Sequence, residues 1–404
     1  MNLFLISQFG QLIHHQALIK RDNIANNKLV ILYTSANLDV PRKIQKEADR
    51  LLFDETILYQ LQLSPLNYHF DDITKMTEGF KNLLSGVDNL YMSSFEYHYS
   101  ILHRLAVNRG IKTHLVEEGL ATYKFVHTDH ITRKPKLKRS VITATQQSGL
   151  FYNKFYPILK FIYTWTRDLI NLPAQVFSTI VHCKNSEFIS YKKLIKVLDE
   201  RSAFLGVAKE FDSIHTAFPH LLNNCFNAQN KTELKTYDSE IFEYRDSKRL
   251  GNLSIKNKDI LYLSQMYNIP SVHYASSVIS IIEEYLQSTD DGRCFIKFHP
   301  RDKSDFISSI KSQVIEKKLV DRIEIIAQTD FPVESIIIKY KPKMILGIST
   351  TTLVYTNQIS TDINCVSVTG KLLEHLGTHC PKKTRKTILE HTAMLNAFEH
   401  IEKV

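Results

Sequence analysis

Residues 2–7 read NLFLIS and residues 29–35 read LVILYTS. Both are short apolar runs with no polar residue at every second position. Such runs suit strands covered on both faces, as in a parallel sheet flanked by helices. Outward from them, residues 89–93 (NLYMS) and 113–116 (THLV) repeat the strand signal. Residues 41–52 and 97–108 carry the mixed charged and apolar repeat of helices, the second ending near Gly110. Strand and helix in alternation predict a doubly wound α/β unit.

The same rhythm returns later. Residues 259–264 (DILYLS), 294–298 (CFIKF), 323–327 (IEIIA), 344–348 (MILGI) and 365–368 (CVSV) predict strands. Residues 272–286 and 333–341 predict helices. A helix is expected over 191–212, a polar linker over 227–257 and a closing helix over 387–404. The fold class expected is therefore α/β, with two Rossmann-like domains whose parallel sheets face across a cleft. The first domain spans 1–250 and holds an insertion at about 125–210. The second spans 251–386, and the tail 387–404 is expected to pack back on the first.

Composition excludes several functions. Only 12 of the 404 residues are glycine, and no two lie two or five apart. A G-x-G-x-x-G fingerprint and a Walker A loop are thereby absent, so phosphate must be met by helix N-termini, hydroxyls, His or cations. The five cysteines are scattered and form no C-x-x-C, as expected of a reducing cytosol without a structural zinc site. No signal peptide and no run of about 18 apolar residues is seen, so no transmembrane helix is expected. The net charge is +9, from 51 basic and 42 acidic residues. It is concentrated: residues 131–167 contain no Asp or Glu, and Arg133, Lys134, Lys136, Lys138 and Arg139 cluster there. The aromatics of 151–165 follow them. AT-rich codon usage, an acidic substrate, a nucleic acid and an anionic membrane each account for such a charge.

Ligands of open α/β sheets sit outside the carboxyl ends of strands, so polar residues just after strands are the candidates. Glu117-Glu118-Gly119 follows one predicted strand. Adjacent carboxylates repel, raising a pKa toward that of a general base, and Gly119 permits a sharp turn. His299-Pro300 follows another, with Lys297 and Arg301 beside it, a setting that suits phosphate binding and proton donation. Ser349, Thr350, Thr351 and Thr352 follow a third, at a helix start suited to an anion. Glu334 lies just inside a helix and suits ribose hydroxyls. Taken alone, each has an ordinary reading: a solvated acidic turn, a loop histidine, an N-cap.

Together these residues resemble the signatures of the bacterial capsular polysialyltransferases, and more distantly those of other GT-B sialyltransferases. The matching features are an acidic pair followed by Gly (Glu117-Glu118-Gly119), a His-Pro (His299-Pro300) and a hydroxyl pair (Thr350-Thr351). The likeness extends through 9–12 (FGQL), 40–42 (VPR), 116–124 (VEEGLATYK), 216–222 (TAFPHLL), 259–267 (DILYLSQMY), 295–300 (FIKFHP), 334–336 (ESI) and 347–355 (GISTTTLVY). Residues 125–210 match poorly, and Thr-Thr replaces the family's Ser-Ser, which leaves the part of Ser349 open.

The resemblance implies transfer of sialic acid from CMP-sialic acid, with inversion and with no metal or other cofactor. It implies Glu117 as the base, with Glu118 as second choice, and His299 at the leaving phosphate. Thr350 and Thr351 would hold phosphate oxygens, joined by Ser349, Lys297 and Pro300 around the CMP, with Glu334 at the ribose. Gly10, Gln11 and Gly119 would approach the donor or acceptor sugar. The acceptor implied is a sialylated or polysialic acid glycan, a polyanion that Arg133–Arg139 would contact unless that cluster meets a membrane. The expected place is the cytoplasm, or the inner face of the inner membrane beside capsule assembly proteins, with no nucleic acid partner. The alternatives are a single-transfer sialyltransferase and a non-enzymatic polyanion-binding protein.

Overall fold

The computed structural model describes residues 1–33, 38–61, 78–94, 97–123, 210–222, 226–238, 250, 253–289, 291–299, 301–326 and 332–404. Pro300, the basic cluster Arg133, Lys134, Lys136, Lys138 and Arg139, the aromatics of 151–165 and the helix expected over 191–209 lie outside the described residues.

The first sheet contains β1 (Asn2–Ile6), β2 (Asn27–Tyr33), β3 (Glu55–Gln60), β4 (Asn89–Met92), β5 (Lys112–Val116), β6 (Glu210–Thr216) and β7 (Asn227–Glu233). Its order is β3-β2-β1-β4-β5-β6-β7 and every neighbouring pair is parallel. This is the Rossmann order, in which the chain reverses direction across the sheet between β1 and β4. Helices α1 (Phe9–Asp22), α2 (Asp39–Glu47) and α3 (Tyr97–Asn108) belong to its crossovers. Leu3, Phe4, Leu5 and Ile6 of β1 are wholly buried, each such side chain contributing about 1.5–3 kcal/mol.

The second sheet repeats the order. Strands β8 (Ile260–Leu263), β9 (Cys294–Lys297), β10 (Ile323–Ile326), β11 (Met344–Gly347), β12 (Asn364–Ser367) and β13 (Ile401–Lys403) run β10-β9-β8-β11-β12-β13, again all parallel. The reversal falls between β8 and β11. Helices α4 (Ser271–Gln287), α5 (Ser304–Glu316), α6 (Val333–Tyr340), α7 (Thr351–Ile359), α8 (Thr369–Leu376) and α9 (Lys382–Ala393) connect or flank these strands. Pro270, Pro332 and Pro381 stand directly before α4, α6 and α9. A missing N–H is harmless there, because helix-start donors have no intrahelical acceptor.

Three expectations are corrected. Residues 227–233 are not linker but the edge strand β7, whose NAQNKTE leaves most side chains at least partly exposed. Its backbone pairs with β6 whatever the side chains are, so no apolar alternation marks it. Residues 210–212, assigned to a helix, begin β6. The tail is not one helix over 387–404. Helix α9 ends at Ala393, a 3-10 turn follows, and β13 pairs with β12. The bare edge of β12 offers backbone partners that a longer helix would leave unmet. Phe398 of the tail packs edge-on against Tyr123 and Phe218 of the first domain, with centroids 5.6 and 5.0 Å apart.

Candidate active site

The two carboxyl-end rims meet. Gly119 follows β5 with φ +123°, a backbone that L side chains rarely adopt, and a Cβ there would lie 3.4 Å from Thr351 Cγ2 at the start of α7. The acidic turn and the hydroxyl turn are therefore in contact. Gly119→Ala is expected to lower stability by about 1–3 kcal/mol, read as a shifted denaturant midpoint. An unchanged midpoint would mean that the turn relaxes freely.

The adjacent glutamates differ sharply. Glu117 is fully buried. Its Oε2 accepts from Tyr123 Oη at 2.7 Å and from the Ala217 N–H at 2.6 Å, and its Oε1 accepts from Tyr355 Oη at 2.7 Å. Burial pushes its pKa up to about 7, although all three donors favour the ionised form. Glu118 is half-buried. Its Oε1 accepts from Gln11 Nε2 at 3.2 Å, and its backbone N–H donates to Thr122 Oγ1. Gln11 is in turn fixed, since its Oε1 accepts from the Ser7 N–H at 2.7 Å and the Gln8 N–H at 3.2 Å. Gln11 is buried at the switch point after β1, and it reaches across to the turn after β5. Among the described residues, Gly10 has nothing within 4 Å of where a Cβ would stand.

His299 lies after β9 and is exposed. Its N–H donates to Asp302 Oδ2 at 2.8 Å, and its Nδ1 accepts from the Arg301 N–H at 3.1 Å. With Nδ1 used as an acceptor, the neutral ring carries its proton on Nε2. Partial desolvation lowers its pKa, helped by Arg301 and Lys297 and opposed by Asp302. Lys297, at the end of β9, is buried.

Thr350 is the N-cap of α7, and its hydroxyl accepts weakly from the Thr352 N–H at 3.4 Å. Thr351 is the first helical residue. Thr352 Oγ1 donates to Glu334 Oε1 at 2.9 Å, joining the starts of α6 and α7. Glu334 is buried, and desolvation raises its pKa. Ser349 is held from the turn after β8: its N–H donates to Gln265 Oε1 at 2.5 Å, and its hydroxyl meets Tyr267 Oη at 2.9 Å. Tyr267 Oη also meets His391 Nδ1 of α9 at 3.2 Å.

Gln265, Tyr267, Tyr123 and Tyr355 carry no assignment in the sequence reading. Gln265 and Tyr267 follow β8 and answer to the same strand-end rule as His299. Tyr355 lies inside a helix, where no local signal marks it. Ser93 Oγ and Ser264 Oγ, just after β4 and β8, are buried with no hydrogen-bond partner among the described residues. Also among the described residues, no cluster of three or more His, Cys, Asp or Glu could hold a metal ion, and no helix is long and apolar enough to cross a membrane.

Two Rossmann-ordered sheets, with a carboxylate turn of one set against a hydroxyl-capped helix of the other, define the GT-B fold. Among solved structures, LpCGTa in complex with UDP matches with a TM-score of 0.51 at 8% identity, over 100% of this chain and 84% of that one, a likeness of fold. The GT-B domain of a sialyltransferase from Photobacterium damselae matches with a TM-score of 0.43 at 11% identity, over 100% of each chain. S. aureus MnaA with UDP matches with a TM-score of 0.46 at 12% identity, over 98% of this chain and 88% of that one. No curated relative matches the chain. The family described as Alpha-2,8-polysialyltransferase (POLYST) matches residues 2–369, and the chain belongs to that family. It is a sialyltransferase.

Proposed function

We propose that the enzyme moves sialic acid from CMP-sialic acid to the non-reducing end of a sialylated acceptor, with inversion, and so elongates a capsular polysialic acid. The observation that carries this is the contact between the Glu118-Gly119 turn and the Thr350-Thr351 helix start. It brings the turn that bears Glu118 to a helix start of the kind that suits an anion.

In this reading Glu118, rather than Glu117, is the base. A pKa near 7 suits Glu117 to base chemistry, but both its oxygens are engaged and no surface of it reaches solvent. Access decides over pKa, because a base must come within hydrogen-bond reach of the proton it takes. Glu118 takes the acceptor hydroxyl's proton, and the oxygen attacks the anomeric carbon. The bond from that carbon to the CMP phosphate oxygen breaks, and its electron pair leaves with CMP. Attack opposite the leaving group inverts the centre. The phosphate charge is met by His299 Nε2–H, by the Thr350 and Thr351 hydroxyls and by the N-terminal dipole of α7. Ser349, braced by Gln265 and Tyr267, and Lys297 complete that side. Glu334 faces the ribose, Gln11 holds Glu118, and Gly10 and Gly119 leave room for sugar.

Incubation with CMP-sialic acid and a fluorescent sialylated acceptor, read by chromatography, tests the reading. A ladder of longer products is expected. One added sugar would mean a single-transfer enzyme, and no product would sink the donor assignment. The charge of 131–167 is assigned to polyanion or membrane contact on composition alone, with the cytoplasmic face of the inner membrane as the site of action.

A further inference from the structure

We infer that Glu117 and Tyr355 form a strut between the two domains, and that this strut sets the position of helix α7, and so of Thr350 and Thr351, relative to Glu118. Both are positioning residues: neither offers surface to a substrate, Glu117 being 0% and Tyr355 1% exposed.

The carboxylate is anchored twice on the first domain and once on the second. Tyr123 Oη and the Ala217 N–H hold Oε2, while Tyr355 Oη of α7 holds Oε1. The anchor on the first domain is itself braced, since Tyr123 Oη accepts from the Phe218 N–H at 3.0 Å. On the second domain the tie is one of three made by a single face of α7. Thr351 stands against Gly119, Tyr355 bonds Glu117, and Gln358 Nε2 reaches the Ala217 carbonyl at 3.4 Å. These positions are i, i+4 and i+7, one stripe of an α-helix. The Tyr355 ring is gripped between His14 and Tyr237 of the first domain, at centroid distances of 5.4 and 5.2 Å. A rigid helix tied along one stripe carries its N-terminus with it. The strut therefore fixes where the hydroxyl turn stands against the acidic turn. A hydrogen bond to a carboxyl group sealed from solvent is well suited to that task.

The consequence for the donor rests on the CMP reading above; the strut itself does not. The test compares Tyr355→Phe, Glu117→Gln and the double variant of the full chain by two readouts. One is CMP affinity by calorimetry with no acceptor present. The other is hydrogen exchange of the α7 amides, which needs no ligand. Each single variant is expected to weaken CMP binding on the order of tenfold and to lower α7 protection, with the acceptor KM unchanged. The double variant should be no worse than Glu117→Gln alone, because the bond that Tyr355→Phe removes is already disturbed there. Wild-type α7 protection in Tyr355→Phe would overturn the strut. So would a Glu117→Gln enzyme that binds CMP normally with intact α7 protection but cannot turn over, which would make Glu117 the base. Should the wild-type protein bind no CMP, the donor reading fails, and hydrogen exchange alone decides the strut.

Discussion

Glu118→Gln is expected to lower turnover about 10²–10⁴-fold while leaving CMP affinity and melting temperature unchanged. The two side chains are alike in shape, and an amide oxygen at this position still accepts from Gln11 Nε2, now at 3.2 Å. What is lost is the ability to take a proton. Glu118 is half-buried, and its bond with Gln11 survives the change, so the fold is expected to hold. The measurement is steady-state turnover on a defined sialylated acceptor, beside calorimetric CMP binding. Turnover within tenfold of wild type would remove Glu118 from the mechanism. Loss of CMP affinity in step with turnover would move it to donor binding. The contrast with Glu117→Gln is the sharper for their adjacency: one variant should fail in chemistry, the other in donor binding.

Mild acid is expected to unfold the protein cooperatively between about pH 6 and pH 4. His14 and His15 of α1 are held neutral by burial, with pKa values lowered to about 3. Burial likewise lowers His114 of β5 and His215 of β6 to about 4. A histidine whose folded pKa lies below its unfolded value binds more protons when unfolded. Stability is then complete above about pH 6.5 and falls with pH, by about 1.4 kcal/mol per unit for each ring. Four rings over two units reach the 5–15 kcal/mol that typically holds a domain, roughly speaking. Glu117 works in the opposite sense. Its folded pKa of about 7 exceeds the ordinary 4.5, so its contribution is complete below pH 4.5 and is lost as pH rises through 7. Glu334, whose pKa burial also raises, acts in the same sense, and two carboxyls do not offset four imidazoles on the acid side. Near-ultraviolet circular dichroism against pH reads the transition. A native signal persisting at pH 4 would contradict the buried-histidine account.

Those histidines mark where the sequence was hard to read. Helix α1 buries Gln11, His14 and His15 beside Leu12, Ala17, Leu18 and Ile19, so polar residues interrupt its inward face and blur the apolar period. Two of the rings find partners distant in sequence: His14 Nδ1 meets Thr236 Oγ1 at 2.7 Å, and His114 Nδ1 meets Ser213 Oγ at 2.6 Å. The edge strands β3 and β7 were missed because each is only partly covered: Ile57, Leu58 and Tyr59 of β3 and Ala228 of β7 pack half-buried against the core, which leaves no unbroken buried apolar run. Strands covered on both faces, such as β1, β8 and β11, were legible because burial from two sides demands an unbroken apolar run.

By itself the sequence determined the α/β alternation and the turns that bear polar groups after strands. The scarcity of glycine, 12 residues in 404, left helix starts, hydroxyls and His to meet phosphate. It did not separate Glu117 from Glu118, which are neighbours of identical chemistry at one strand end. Tyr355 decides between them, and it stands 238 positions further along the chain. Its hydroxyl closes over Glu117 only when the second domain packs against the first. Burial and donor count are properties of that packing, so only the tertiary structure makes one carboxylate a buried anchor and leaves the other open to solvent.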